Sequence, residues 1–210
     1  MIGFILAGGR GTRLRPHTEE IPKPLLEVGG KTILGHQIET LINEGVSPIL
    51  IVTGFLAEKI TTFVNENFPN QDFIFIHNSE YESSKPAFAI IKSLEHLTDT
   101  TLYLNGDVFY EPQILKEVIE NKNDSATAIQ ETNWDEEEVK VIIDKDGFIS
   151  ELSKNLTKEE SSGEFIGITK LGDKFIDSIK EIAQNEGVEV FRHSFAIDLL
   201  NHVIHKSDNK

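Results

Sequence analysis

The sequence predicts an α/β fold: a doubly wound, mostly parallel sheet flanked by helices, with a mixed β extension in the second half. Short apolar runs alternate with amphipathic segments through residue 120, which is typical of parallel strands buried on both faces and joined by helices. The first run, Ile2–Leu6, ends in a glycine-rich segment, as a parallel strand does before a ligand-binding loop. From residue 125 the pattern changes to closely spaced strands.

Local signals bound the elements of the first half. Apolar residues from Ile33 to Ile42 recur on one helical face, and Gly45 ends that helix. Pro86 and Pro112 are placed to open helices, because proline is favoured in the first helical turn. In order, the predicted elements are strand Ile2–Leu6, a helix over 33–42, strand Ile49–Thr53, helix Ala57–Asn67, strand Asp72–His77, helix Ala87–Leu97, strand Thr101–Leu104 and a helix from Pro112 to about Asn121.

The second half contains more strands and fewer helices. Lys145-Asp146-Gly147 stands between two apolar runs and is typical of a hairpin turn. Because no internal repeat or long linker divides the chain, we predict a single domain over residues 1–210, with halves at 1–124 and 125–210. The predicted elements here are strands Ala126–Gln130, Val139–Ile143, Phe148–Leu152 and Glu164–Lys170, helix Asp173–Asn185 and a helix over about Ser194–His205.

Composition excludes several functional classes. The 210 residues are 39% hydrophobic and 26% charged, which is the composition of a globular chain. Lysine and arginine number 20 against 35 acidic residues, and the net charge of −15 disfavours nucleic acid or an anionic membrane as a partner. The sequence has no membrane-length apolar run, no leader-like start and no cysteine, so we expect a cytoplasmic protein without disulfide or zinc–thiolate chemistry.

The first 31 residues are locally cationic. This stretch contains five basic residues and only three acidic ones, although the chain as a whole is strongly acidic. The basic residues are Arg10, Arg13, Arg15, Lys23 and Lys31. A cationic loop in an acidic protein indicates a small anionic ligand held at one place.

A glycine-rich loop, residues 6–16, directly follows the first predicted strand. Its glycines, Gly8, Gly9 and Gly11, let the backbone approach a ligand and aim successive N–H groups at phosphate oxygens. Arg13 can hold phosphate in a forked geometry, and Lys23 in Pro22-Lys23-Pro24 adds a compact charge. Two other phosphate motifs fail, because Leu25 occupies the glycine position of a P-loop and Leu14 the third glycine position of a dinucleotide fingerprint.

Asp107 follows the fourth predicted strand of the first half, in Leu104-Asn105-Gly106-Asp107. Mg²⁺ in proteins is typically bound by one or two carboxylates together with phosphate oxygens and water. Since Asp107 is predicted at the same sheet edge as the glycine loop, we expect it to bind Mg²⁺; the alternative is a turn aspartate after glycine.

These motifs together resemble the nucleotidyltransferases that activate sugar phosphates and related phosphorylated alcohols. The resemblance lies in Gly-x-Gly-Thr-Arg followed by Pro-Lys, and in the strand-end aspartate. It implies a Rossmann-like doubly wound sheet, a nucleoside triphosphate substrate, a Mg²⁺ cofactor on Asp107, release of pyrophosphate, and catalytic roles for Arg13, Lys23 and Asp107. The nucleotide-binding residues that it implies are Leu6, Ala7, Gly8, Gly9, Gly11, Thr12, Arg13, Lys23, Asn78, Lys85 and Ala87.

Further segments resemble the cytidylyltransferases that act on phosphocholine, aminoalkylphosphonates and similar small molecules. They lie at 78–81, 135–141, 153–154 and 163–168. The resemblance implies CTP, a nucleotide-binding half over 1–124, an acceptor-binding half over 125–210, and substrate contacts from Tyr81, Asp107, Lys140, Lys154 and Glu164. We interpret the acidic run Asp135–Glu138 as a solvated loop, with a cation-binding cage including Trp134 as the alternative.

The sequence departs from this pattern in two places. After Tyr81 the family usually has further polar residues, often asparagine, whereas this chain has Ser83-Ser84-Lys85-Pro86. The usual second metal-binding aspartate has only a poor counterpart in Asp198. Two alternatives therefore stay open: a sugar-1-phosphate nucleotidyltransferase using UTP, GTP or dTTP, and a non-catalytic nucleotide-binding regulator. The sequence also leaves open whether the chain forms a homo-oligomer. His202 and His205, three residues apart, are interpreted as part of a polar helix face rather than a metal site.

Overall fold

A computed structural model of the chain describes residues 1–131 and 138–206. Its main sheet has eight strands in the order β5-β4-β1-β6-β10-β8-β9, with β7 paired to β10 off this path. The strands are β1 Ile2–Leu6, β2 Glu27–Val28, β3 Lys31–Thr32, β4 Ile49–Thr53, β5 Phe73–His77, β6 Thr101–Asn105, β7 Ala126–Gln130, β8 Lys140–Ile143, β9 Ile149–Ser153 and β10 Gly163–Leu171. The helices are α1 Ile33–Asn43, α2 Ala57–Asn67, α3 Pro86–Lys92, α4 Pro112–Glu120, α5 Asp173–Glu186 and α6 Ala196–Lys206.

The predicted fold class is confirmed, with a parallel half and a mixed half. Strands β5, β4, β1 and β6 run parallel, and β10 joins β6 antiparallel. Strands β7 and β8 both pair antiparallel with β10, and β9 continues from β8. The carboxyl ends of the four parallel strands therefore meet at one edge, where open sheets of this kind bind ligands.

Helices cover both faces of the sheet, as a doubly wound fold requires. Alternate residues of β1 separate, with Phe4 in the core beneath α3, α5 and α6 and Ile5 in the core beneath α1, α2 and α4. The parallel strand β4 divides in the same way, which explains why its sequence is apolar from Ile49 to Val52. Among the described residues, no helix combines the length and apolar composition that crossing a bilayer requires.

Differences from the predicted elements are local. The helix expected to reach Leu97 ends at Lys92, where the Ser93 hydroxyl donates to the Ala89 carbonyl at 2.7 Å and a separate 3₁₀ turn follows. The short hairpin β2–β3 was not predicted; it turns on Gly29 and Gly30, whose φ angles of 59° and 85° suit a tight hairpin. Trp134 and residues 135–137 of the acidic run lie outside the described residues.

Candidate active site

Backbone hydrogen bonds bring the strand ends of the parallel half together. The Ala7 N–H donates to Val52 O at 2.9 Å, and the Gly106 N–H donates to Leu6 O at 3.0 Å. The Asn78 N–H donates in turn to Thr53 O at 2.8 Å. The segments after β1, β5 and β6 therefore lie at one edge of the sheet, as the sequence predicts.

The glycine loop leaves this edge with unpaired donors. Within residues 1–131 and 138–206, the N–H groups of Gly8, Gly9, Arg10 and Gly11 donate no hydrogen bond. Gly11 adopts the left-handed conformation at φ 61°, ψ 32°, and the Thr18 hydroxyl holds its carbonyl at 2.8 Å. The Thr12–Leu14 3₁₀ turn follows directly. Four successive free N–H groups in such a turn are the backbone arrangement that binds phosphate.

Close backbone contacts explain why glycine occupies the neighbouring strand ends. A Cβ on Gly106 would lie 2.4 Å from Leu6 O, and a Cβ on Gly54 would lie 2.6 Å from Gly8 O. Both separations are shorter than the contacts that Cβ atoms make in proteins, so only glycine fits there without a shift of the backbone. The glycine loop is thus packed between the turns that follow β4 and β6.

Lys23 and Asp107 meet at this edge. The Lys23 Nζ donates to Asp107 Oδ2 at 2.6 Å, although 84 residues separate the two in the chain. The side chains are 27% and 43% exposed, so both reach solvent. Lys23 also lies beside the glycine loop, since a Cβ on Gly11 would be 3.2 Å from the Lys23 Cβ. The expected convergence of the loop, the lysine and the aspartate is therefore present in the geometry.

The residue before the Gly106–Asp107 turn is held from two sides. The Tyr103 hydroxyl donates to Asn105 Oδ1 at 2.6 Å. Burial raises the pKa of Tyr103 well above its usual range, and the charge of Asp107 raises it further, so the hydroxyl stays a donor. Gly167, at φ 78° in β10, lies against the Asn105 side chain, where any Cβ would be 2.1 Å from Asn105 Nδ2.

Asp107 fits a magnesium site of the kind that relies on the substrate for most of its ligands. Its carboxylate is half exposed at the end of β6, and one oxygen pairs with Lys23. No cluster of three or more His, Asp or Glu side chains that could bind a metal is present among the described residues. The donor set therefore suits Mg²⁺ bound by one carboxylate together with phosphate oxygens and water.

An ion pair beside the glycine loop was not predicted from the sequence. Arg10 Nη1 donates to Glu82 Oε1 at 2.8 Å, and the guanidinium carbon lies 5.5 Å from the centre of the Phe55 ring. The pair joins the glycine loop to the segment after β5. Arg13, predicted to hold phosphate, lies in the exposed 3₁₀ turn Thr12–Leu14, directly after Gly11.

Hydrogen bonds of its own side chains stabilise the predicted nucleotide-binding segment after β5. Asn78 Oδ1 accepts the Glu80 N–H at 3.1 Å, and Asn78 Nδ2 donates to the Ser84 hydroxyl at 3.1 Å. Tyr81 packs on Gly54, where a Cβ would lie 2.7 Å from the Tyr81 Cβ. Tyr81 thus packs on the turn after β4, which lies in turn against Gly8 of the glycine loop.

The end of the same segment is bound to the chain near α6. The N–H groups of Lys85 and Ala87 donate to Arg192 O at 2.8 Å and Ser194 O at 3.1 Å, so these two N–H groups are already occupied. The Lys85 Nζ lies over the Phe195 ring at 4.7 Å. The nucleotide contacts assigned to Lys85 and Ala87 stay predictions.

Three predicted acceptor residues lie together on the antiparallel half. Lys140 and Glu164 are register partners on β8 and β10, and the Lys140 Nζ donates to Lys154 O at 3.3 Å. Lys140 is 2% exposed, whereas Lys154 is exposed. Burial raises the pKa of Glu164, and the neighbouring Glu138 carboxylate raises it further.

Asp198 and the late histidines have structural partners. Asp198 Oδ2 accepts the Phe195 N–H at 2.6 Å at the start of α6, which is the arrangement of a helix cap. His202 bonds Glu186 Oε1 at 2.9 Å between α6 and α5, and His205 bonds Ser150 O at 3.2 Å. These contacts agree with the interpretation of the histidines as a polar helix face.

A family model described as Nucleotidyl transferase matches residues 2–141, the stretch that contains the glycine loop, Lys23 and Asp107. The chain belongs to this nucleotidyl transferase family. It is 33% identical over 192 residues to the bifunctional protein GlmU of Methanococcus maripaludis, covering 90% of this chain and 44% of that protein. The chain therefore spans less than half the length of this relative.

Other relatives are named for different activities. The chain is 30% identical over 139 residues to the UTP–glucose-1-phosphate uridylyltransferase AglF of Haloferax volcanii, covering 65% of this chain and 56% of that protein. It is 25% identical over 196 residues to the CTP:phosphoglutamine cytidylyltransferase of Campylobacter jejuni, covering 85% and 76%. Among solved structures, the inositol-1-phosphate CTP transferase from T. maritima matches with a TM-score of 0.81 at 16% identity, over 98% of this chain and 82% of that one, which shows the shared fold.

Proposed function

We propose that this chain is a Mg²⁺-dependent nucleotidyltransferase that transfers a nucleoside monophosphate unit from a nucleoside triphosphate to a small phosphorylated alcohol or phosphonate. The observation that carries the proposal is the arrangement at one sheet edge. Four free N–H groups of the glycine loop stand beside Lys23, which lies 2.6 Å from Asp107. Membership of the nucleotidyl transferase family supports the same reaction class.

The proposed reaction is attack by a phosphate or phosphonate oxygen of the acceptor on the α-phosphorus of the triphosphate. The new P–O bond forms as the bond between the α-phosphorus and the bridging oxygen breaks, and pyrophosphate leaves with the electron pair. A phosphate monoester is largely dianionic at neutral pH, since its second pKa is about 6. The nucleophile is therefore already deprotonated, and the protein supplies alignment and charge rather than a general base.

Each backbone or side-chain group of the site then has one role. The N–H groups of Gly8 to Gly11 hold the triphosphate, Arg13 holds the departing pyrophosphate, and Lys23 binds the α-phosphate. Asp107 would hold Mg²⁺, whose positive charge, when it is bound, neutralises the phosphate oxygens. The Lys23–Asp107 pair keeps the ammonium group and the carboxylate adjacent before the substrate arrives.

CTP is the favoured nucleotide and a small phosphorylated molecule the favoured acceptor. The cytidylyltransferase relative from C. jejuni, of which the alignment covers 76%, supports this choice. On the acceptor side we assign Tyr81, Lys154 and Glu164, with Lys140 supporting the Lys154 carbonyl. Glu164, whose pKa is raised, would face the non-phosphate end of the acceptor.

A second candidate is a sugar-1-phosphate nucleotidyltransferase using UTP, GTP or dTTP. The uridylyltransferase AglF, which is 30% identical over 139 residues, favours it. The two candidates share the triphosphate site and differ in the base and acceptor, so they are distinguished by substrate and not by the chemistry of the edge.

One grid of assays tests the proposal. CTP, UTP, GTP, ATP and dTTP are each incubated with phosphocholine, aminoethylphosphonate and hexose 1-phosphates, and pyrophosphate release is measured with and without Mg²⁺. We expect Mg²⁺-dependent release that is greatest with CTP and a phosphorylated alcohol or phosphonate. Release with a hexose 1-phosphate and another nucleotide would support the second candidate. Nucleotide binding without pyrophosphate release in any combination would contradict both and leave a regulator.

A further inference from the structure

Gln37 is a polar side chain buried among apolar core residues of α1, a helix that also buries the polar residues His36 and Thr40. It lies on α1, is wholly buried, and is flanked by the core residues Leu34, Ile38 and Leu41. Its Nε2 donates to Asn105 O and to Val108 O, both at 2.8 Å. These two carbonyls stand on either side of the Gly106–Asp107 turn, so one side chain joins both ends of that turn to α1.

The two bonds fix the orientation of the amide. Two carbonyl oxygens face one end of the Gln37 side chain, and only an N–H₂ group can satisfy them. The opposite end, Oε1, is buried and has no hydrogen-bond partner within residues 1–131 and 138–206. A buried acceptor without a partner costs free energy, which offsets part of what the two hydrogen bonds of Nε2 contribute to stability. What the amide provides is the hold on the turn.

Helix α1 also contacts the residues that follow the turn, Phe109 and Tyr110. The His36 Nε2 lies 2.6 Å from Tyr110 O, and the His36 ring stacks on Phe109 at 4.2 Å. From the sheet side, the Gly106 N–H donates to Leu6 O. Helix α1 and strand β1 thus both form hydrogen bonds with the Gly106–Asp107 turn and its flanking residues, while the Asp107 side chain stays half exposed.

We propose that Gln37 is a positioning residue that holds the Gly106–Asp107 turn where the Asp107 carboxylate meets Lys23 and the substrate phosphates. This inference rests on the proposed nucleotidyl transfer. Gln37 itself touches no reacting atom, because it is wholly buried and its two hydrogen bonds go to backbone carbonyls. A shift of a reacting group by about 1 Å can lower a rate by about 10²-fold, which makes the position of this turn functionally important.

The test compares Gln37→Met with Ser93→Ala. Methionine has a similar volume but no donor, and it also removes the unpartnered Oε1. Asn105 O still accepts the Val108 N–H at 3.3 Å, whereas Val108 O loses its bond from Gln37. We therefore expect a cost in stability of about one hydrogen bond, as in the control. Ser93 is an equally buried polar residue whose hydroxyl bonds a carbonyl of its own helix, which makes it the control for the loss of a buried hydrogen bond. If Gln37→Met does not fold, Gln37→Asn, which keeps the amide on a shorter chain, replaces it.

Two readouts are measured on each variant. The first is hydrogen exchange at the Gly106 and Val108 amides, which we expect to speed up by about tenfold or more in Gln37→Met and not in Ser93→Ala. The second is turnover at saturating nucleotide, which we expect to fall by about 10- to 100-fold, with a higher Mg²⁺ concentration at half-maximal rate. Equal exchange and equal turnover in the two variants would overturn the proposal.

A double variant separates this inference from the function on which it rests. If Gln37 acts only through Asp107, Gln37→Met should lower the rate much less in an Asp107→Asn background than in the wild-type chain. Independent, multiplicative losses would show that Gln37 acts elsewhere and would overturn the proposal. If the wild-type chain releases no pyrophosphate, the proposed function fails, while the exchange measurement still decides whether Gln37 holds the turn.

Discussion

The Lys23–Asp107 pair is the contact whose removal best distinguishes a site from a structural ion pair. At 2.6 Å in water, two unit charges attract by about 1.6 kcal/mol from Coulomb's law. The side chains are 27% and 43% exposed, so screening and side-chain entropy reduce the net contribution to folding to about 0–1 kcal/mol. Lys23→Met and Asp107→Asn should therefore change the free energy of unfolding by about 1 kcal/mol or less.

The effect on the reaction should be much larger. Removing one electrostatic partner of a transferring group typically costs about 10²–10³ in rate, equivalent to about 2.7–4 kcal/mol of transition-state stabilisation. We expect each single variant to lose pyrophosphate release by that factor while its urea unfolding midpoint barely moves. The matched control is the pair of Lys31 with Glu39, which is also exposed and lies at the start and middle of the β3–α1 segment. Lys31→Met and Glu39→Gln should leave the rate unchanged.

The reasoning would be refuted by wild-type turnover in either Lys23→Met or Asp107→Asn. It would also be refuted if activity fell only in proportion to the unfolded fraction, because the pair would then matter for the fold alone. The two measurements, urea unfolding followed by fluorescence or circular dichroism and pyrophosphate release at saturating substrates, are made on the same preparations.

Three further outcomes are expected. Gly106→Ala should destabilise the fold by about 1–3 kcal/mol, since its Cβ would lie 2.4 Å from Leu6 O, whereas Gly9→Ala, with no atom within 4 Å, should not; urea unfolding checks both. Glu164→Gln should stabilise the fold at pH 7 more than the control Glu151→Gln does, because the raised pKa of Glu164 shows that the folded state disfavours the ionised carboxylate. The difference between the two variants should vanish below about pH 4, where the Glu164 carboxyl is protonated in both the folded and the unfolded state. Arg192→Ala should destabilise the fold most at neutral pH and progressively less in acid. Arg192, and after it Lys92, lowers the pKa of Glu80, so their pairing with the Glu80 carboxylate stabilises the fold at neutral pH and is lost as the pH falls through that lowered pKa. The free energy of unfolding at pH 7 and at pH 3 checks this prediction.

The residues at the strand ends could be predicted because their signals are local. An apolar strand followed by glycines predicts a loop at the sheet edge, and this was enough to bring the glycine loop and Asp107 to one place. The pairing of Lys23 with Asp107 follows from the same edge, although 84 residues separate them. Gly167 was not interpreted from the sequence, although an isolated glycine inside a strand indicates that another group approaches the backbone closely, here the Asn105 side chain.

The supporting contacts could not be predicted in the same way. Gln37 falls at a core position of α1, and a polar residue there indicates only that some partner exists, not that it is the turn around Asp107. The Arg192–Glu80 pair joins positions 112 residues apart, and neither residue has a local pattern that identifies the other. The first contact depends on how α1 packs against the end of β6, and the second on how the segment before α6 returns to the loop after β5. No short window of sequence encodes either arrangement.

The two parts of the proposed site differ in what fixes their residues: strand ends and glycines in one, long-range side-chain contacts in the other. The triphosphate part is made by strand ends and glycines that are fixed by the backbone of the parallel half. The predicted base and acceptor parts depend on side chains from the mixed half and on the contacts of Arg192 and Ser194 with the Lys85–Ala87 segment. Substitutions there can alter the choice of base or acceptor without moving Lys23 or Asp107. Changes of specificity should therefore be sought around Glu80, Arg192 and Glu164, with the glycine loop left intact.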